Sequence, residues 1–95
     1  MSHKYDEIVD VMSFWIAGTT AVRANSAHRD RAIIIYEFDK DNKIVGVELL
    51  GFRARFLEEW RHKWGRSEER AKLPKWLQLE TDRVLLQTMN WSAIH

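Results

Sequence analysis

Cysteine is absent from the 95 residues of this chain, which excludes a disulfide framework and any thiolate metal site and leaves stability to packing. One proline and four glycines are too few to mark linkers, and there is no internal repeat or low-complexity segment, so the chain reads as a single domain. No stretch of about 18 apolar residues is present to span a bilayer. The opening Met1-Ser2-His3-Lys4-Tyr5-Asp6-Glu7 lacks the basic and apolar regions of a signal peptide, so the expected setting is cytoplasmic, with no membrane partner. A domain this short buries only about 60 to 68% of the surface its unfolded chain exposes, so self-association would add to a modest core.

Catalytic signatures are also missing. There is no glycine-rich phosphate loop, nucleophile elbow or Ser-His-Asp pattern. His3, His28, His62 and His95 are scattered, without the spacing of a metal site, and no cofactor is expected. Asp39-x-Asp41-Asn42 opens like a calcium loop, but Ile44 stands where that loop needs Gly and Leu50 where it needs Glu. It reads as a hairpin turn.

What the chain does have is a clear hairpin. Ile33-Ile34-Ile35-Tyr36 and Ile44-Val45-Gly46-Val47 flank the turn cluster Asp39 to Lys43, the composition of paired antiparallel strands. Asn42 falls where the loop needs positive φ, which Asn tolerates better than most residues. Val45, Val47 and Leu49 then share one face, while Ile44, Gly46, Glu48 and Leu50 share the other, so Glu48 is an acid on an apolar face and needs a partner. Tyr5-Asp6-Glu7 ends a short first strand. Asp10 precedes a second, Val11 to Ile16, with Met12, Phe14 and Ile16 on one side and Val11, Ser13 and Trp15 on the other. Ala21 to Asn25 forms a weaker strand, and Ser26 to Asp30 a polar connection.

At Gly51 the pattern changes. Phe52, Phe56, Trp60 and Trp64, joined by Leu57, follow the i, i+4 rule and define the apolar stripe of a helix from Phe52 to Trp64 packed on the sheet. Gly65 caps its end, Ser67-Glu68-Glu69-Arg70 starts another helix, and Pro74 interrupts it. Thr81-Asp82 caps a last helix carrying Val84, Leu85, Leu86 and Met89, with Trp91 near its end. The expected fold is α+β: a small twisted antiparallel β-meander of four or five strands over residues 1–50, packed by a helix, with a helical C-terminal extension over 51–95.

Tyr5-Asp6, Asp10 to Ile16, and Ile33 to Leu50 together resemble a family of short prokaryotic and phage proteins, domain of unknown function 2283, over roughly residues 3–52. A Tyr-Asp pair opens that family's domain, an Asp begins its second strand, and a Gly-Ile/Val-Glu-Ile/Leu segment closes its hairpin, here Gly46-Val47-Glu48-Leu49. The chain departs from the family at Asn42, where Gly is usual, and at Ser13 and Trp15, where a Tyr or polar residue is usual. The resemblance implies a small meander sheet. It implies no particular activity, and for partners it implies at most an antitoxin-like association with small toxins.

The charge is +1 overall but unevenly spread. Residues 51–76 hold eight Lys or Arg against four Asp or Glu. There Arg53, Arg55, Arg61, Lys63 and Arg66 alternate with aromatic residues, a mixture nucleic-acid binders use for phosphate contact and base stacking. Glu59 stands four residues before Lys63, the spacing of an intrahelical pair on a solvated face. Five tryptophans are a large aromatic area for this length, and they either complete the core or anchor an interface.

Three functional expectations follow. The leading one is a non-catalytic interaction protein, a homodimer or higher homo-oligomer or one with a heterologous protein partner, anchored by Trp15, Trp64, Trp76 and Trp91. The second is a nucleic-acid-binding regulator using the basic-aromatic segment 52–76. The third is an enzyme working through Asp10 and Glu48, which with Asp6 gather near one end of the sheet; the alternative for these three acids is structural, Asp10 serving the turn after Asp6 and Glu48 accepting from Tyr5, Tyr36 or an Arg.

Overall fold

The computed structural model describes residues 2–29 and 32–88, with the side chains of residues 27, 28, 29 and 32 excepted. Met89 and Trp91 lie outside them, as does the expectation that Trp91 anchors an interface. Five strands, β1 (Ser2–Asp6), β2 (Val11–Trp15), β3 (Arg23–Arg29), β4 (Ala32–Phe38) and β5 (Ile44–Leu50), form one antiparallel sheet in the order β1-β2-β5-β4-β3. The fold is α+β, and β3, β4 and β5 do run as a meander. The sheet as a whole does not, because β2 borders β5 and the segment after it crosses to the far edge. Ile16 N donates to Val45 O (2.9 Å) and Val22 N to Phe38 O (2.8 Å), so this connection wraps the end of the β4–β5 hairpin. Alternation assigns residues to faces, but it does not say which strands are neighbours.

β3 is also displaced from the expected Ala21 to Asn25, and it takes in most of the supposed polar connection. It is an edge strand that pairs with β4 alone. Polar residues such as Asn25 and Ser26, both exposed, are tolerated at an edge and blunt further pairing there. The β4–β5 hairpin matches its expectation closely. Asn42 has φ 66°, and Asp39 Oδ1 accepts from Asp41 N and Lys43 N, each at 2.9 Å. Val45, Val47 and Leu49 are buried as one row with Met12, Phe14, Ile34 and Tyr36.

The helical half covers this row. A single helix from Phe52 to Trp64 is not what forms. Gly51, left-handed at φ 63°, opens a wide π-type turn over Phe52–Phe56 in which Phe56 N reaches back five residues to Gly51 O (2.9 Å). Helix α1 (Leu57–Trp60) follows, and then a 3-10 turn at Trp64–Arg66. Rings spaced strictly four apart drift by about 40° per step on an ordinary helix. Widening the first turn and breaking the helix after Trp60 keep Phe52, Phe56, Trp60 and Trp64 all buried, with successive centroids 5.9, 6.0 and 5.8 Å apart. Gly65 is no left-handed cap; it sits inside the 3-10 turn.

Ser67 caps helix α2 (Glu68–Ala71) as expected, its Oγ accepting from Arg70 N at 3.0 Å. Helix α3 (Lys75–Thr88) begins directly after Pro74 and continues through Thr81-Asp82, which do not cap a separate helix. The Thr81 hydroxyl is buried and returns to Leu77 O (2.8 Å) and Gln78 O (2.9 Å), the local bonding that lets Thr sit inside a helix. Asp82 is taken by Arg70, at 2.7 Å between Oδ2 and Nη2.

Asp10 joins the two halves. It is left-handed at φ 57°, its carbonyl accepts from Phe52 N (3.0 Å), its Oδ1 from Tyr5 Oη (2.6 Å) and Arg53 N (2.8 Å), and its Oδ2 from Ala54 N (3.0 Å). These N–H groups open the π-type turn and have no partner within it. Burial pushes the carboxyl pKa upward, but the Tyr5 hydroxyl, the two backbone donors and the Arg53 charge outweigh it and hold the value below the ordinary carboxylate range. A depressed folded value means stability that is present above about pH 4 and is lost as pH falls through that value. Asp10→Ala is expected to cost about 1–2 kcal/mol at neutral pH, the size of a lost cap, and less in acid, measured by urea unfolding at pH 7 and pH 3.

Candidate functional site

Every helix that touches the core row lies on one side of the sheet. The other side is built from residues that alternate with that row, and the register places them in lines across the strands. Trp15, Gly46 and Glu37 form one line, Lys4, Ser13, Glu48 and Ile35 a second, and Asp6, Val11, Leu50 and Ile33 a third. Val11, Ile33, Ile35 and Leu50 are half-buried and Trp15 is 38% exposed, with no described element covering them. The face is therefore apolar at its centre, with an aromatic ring beside two carboxylates.

Gly46 decides how those carboxylates sit. A Cβ there would come within 2.6 Å of Glu37 Oε1 and 3.1 Å of Phe14 O, so the missing side chain is the space into which Glu37 folds. Burial raises the Glu37 pKa, and the neighbouring charge of Glu48 raises it further. No described cation forms an ion pair with either acid. A shallow depression of about 300 Å³ beside them is lined by Lys4, Val9, Ser13, Trp15 and Glu48, and by Asp6 at its rim.

The expected acid cluster is split by the sheet. Asp6 Oδ1 accepts from Ile8 N (3.0 Å) and so serves the turn, the role given to Asp10 from the sequence. Asp10 bonds towards the helical side, whereas Glu48 lies on the open face. Among the described residues Glu48 finds none of the partners suggested for it. Tyr5 donates to Asp10, and Tyr36 donates to Glu69 O at 3.2 Å. Among the described residues no group of three or more His, Asp or Glu is placed to hold a metal ion.

The tryptophans divide in the same way. Trp64 is not an interface anchor; it is 4% exposed and stands edge-on to Phe56 and Trp60 in the core. Trp76 is 58% exposed, on the helical side of the sheet, and begins a row along α3 with Leu79 and Leu86. In the basic segment Arg53, Arg55, Arg61 and Arg66 are exposed, with the Arg53 guanidinium 4.6 Å from the centre of the Tyr5 ring. Lys63 pairs with Glu59 at 2.8 Å. Phe52, Phe56, Trp60 and Trp64 all point inward, so the aromatic half of the expected base-stacking surface is consumed by the core.

Sequence reasoning passed over Glu37. Counting back from the turn would have found it, since Ile33, Ile35 and Glu37 alternate against Ile34 and Tyr36. It also passed over the groove between the β4–β5 hairpin and the α2–α3 connection, whose walls are far apart in the chain. Comparison with protein-family models, with curated proteins and with solved structures finds no match to this chain.

Glu37 carries the electrostatic consequence of the open face. Its raised folded pKa means that it favours the folded state in acid and that this contribution is lost as pH rises through the raised value. Glu37→Gln is therefore expected to stabilise the protein at pH 7 by about 0.2–1 kcal/mol, the size of a repulsive cross-strand pair, with the gain vanishing near pH 4, read from urea midpoints at the two pH values.

Proposed function

We propose that this chain is a non-catalytic protein-interaction domain that docks through the open face of its sheet, with Trp15 as the aromatic anchor and a second copy as the simplest occupant. The observation supporting this reading is that the described helices cover one side of the sheet only, while Val11, Trp15, Ile33, Ile35 and Leu50 stand together on the other. Apolar patches of this kind on a small domain mark interaction sites. A cytoplasmic setting belongs to the same reading; no described helix is long and apolar enough to cross a membrane. The resemblance of residues 3–52 to the domain of unknown function 2283 family would make a small toxin the heterologous alternative.

Size sets the expected strength. Five strands about 4.8 Å apart and five to seven residues long give a face of roughly 400 Å² in projection, below the about 800 Å² per partner of a standard stable interface. The association is expected to be transient, in the micromolar range or weaker. Face-to-face docking of two copies also buries Glu37 further, and burial already raises its carboxyl pKa, so docking strengthens as Glu37 takes up its proton.

The nucleic-acid reading rests on the exposed Arg53, Arg55, Arg61 and Arg66 alone, and it predicts phosphate contact without base stacking. Binding that persists unchanged between 50 and 200 mM salt, or that is absent at the lower salt, would end it.

Light scattering at about 100 μM is expected to give a mass above that of the monomer, larger at pH 5 than at pH 8, for a transient interface of this size. Trp15→Glu should return the monomer, while Leu79→Glu on α3 should leave the association intact. A monomer at both pH values, or an association broken by Leu79→Glu and not by Trp15→Glu, would rule out docking through this face.

A further inference from the structure

A second concavity lies on the helical side, away from the open face. It is a groove of about 540 Å³ between the β4–β5 hairpin, the β2–β3 connection and the Lys72-Leu73-Pro74 link that leads into α3. This is within the range of about 300–1,000 Å³ that small-molecule sites occupy. Its walls are apolar: Ile16, Phe38, Ile44, Leu73, Pro74 and, at the lip, the half-exposed ring of Trp76.

We propose that this groove binds a small amphipathic anion, an apolar chain or ring carrying a single carboxylate or similar negative group. The charge around the groove carries the argument. Lys43 and Lys72 are both exposed in the lining and neither has an ion-pair partner among the described residues; the Lys72 ammonium stands 5.6 Å from the centre of the Tyr36 ring. The guanidinium of Arg23 adds a third positive charge nearby, 4.0 Å from the centre of the Phe38 ring and bonded to the Asn42 side chain.

The one carboxylate of the lining, Asp39, is turned into its own hairpin, where Oδ1 accepts two backbone N–H groups at 2.9 Å. Within the lining the two lysines outnumber the single carboxylate, which leaves a net positive rim beside the apolar walls. A neutral hydrophobe would cover the walls and gain nothing from that rim. A cationic one would be repelled by it. An amphiphile with its anionic end at Lys43 and Lys72 and its body against Leu73, Ile44 and Trp76 satisfies both.

The test uses the full chain with dodecanoate and dodecanol, two probes with the same chain and different charge, each kept below its micellar or solubility limit. Dodecanoate is expected to bind saturably and to shift the amide resonances of Ile44, Leu73 and Trp76, with dodecanol at least tenfold weaker. Lys43→Glu combined with Lys72→Glu should weaken dodecanoate at least tenfold at an unchanged unfolding midpoint, and the paired Arg replacements should retain binding. Equal affinity for the two probes, shifts centred on Trp15 and Ile35, or no saturable binding would each overturn the proposal.

Discussion

The carboxylate of Asp10 is where the β and helical halves of this chain become one object. A helical turn leaves its first N–H groups without partners inside it, so they need an acceptor from elsewhere in the chain or from water. Asp10 supplies acceptors for three successive ones, at Phe52, Arg53 and Ala54, and is itself steadied by the Tyr5 hydroxyl from the neighbouring strand. Its left-handed backbone turns the chain so that carbonyl and carboxylate face the same helix start. The placement of Phe52, and with it the whole column of rings down to Trp64, depends on this junction.

That column explains why only one side of the sheet is covered. With 95 residues, half of them in strands and their turns, the remaining helical material is enough for one layer. The four large rings are spent on the inner side, where the indole N–H groups of Trp60 and Trp64 are buried with no hydrogen-bond partner among the described residues. Packing of the rings has to outweigh that cost, since a buried indole N–H usually finds a partner. The described helices leave the outer side uncovered, where Trp15 is 38% exposed and Ile33 and Ile35 are half-buried.

The sequence carried local geometry well and long-range geometry poorly. Asn42 at positive φ, the split of Val45, Val47 and Leu49 from Glu48, the Ser67 cap and the four-ring stripe were all legible, because each is fixed by neighbours within a few residues. The position of β5 between β2 and β4 was not, since it depends on a crossing connection that alternation does not encode. Asp10 was legible as a polar residue needing donors, but its donors lie more than forty positions away, and the nearer turn was the natural guess. The strict four-residue spacing of the rings held a further signal. It drifts on a regular helix, so a continuous buried stripe of that spacing already implies a widened or broken one.

The same division of labour separates the two surfaces that could meet other molecules. On the open face Glu37 folds over Gly46, whose missing side chain lets it in, with Glu48 nearby, and the burial that raises the Glu37 pKa is deepened by anything that covers the face. On the helical side the groove beside Trp76 is lined by the exposed Lys43 and Lys72, on the opposite side of the sheet from those acids. Under a net charge of +1 the two surfaces proposed as docking sites therefore differ in kind, one an apolar face carrying carboxylates and the other an apolar groove carrying lysines. Because the two sit on opposite sides of one sheet, occupation of the groove leaves the open face free, and a ligand in one does not compete with a partner on the other.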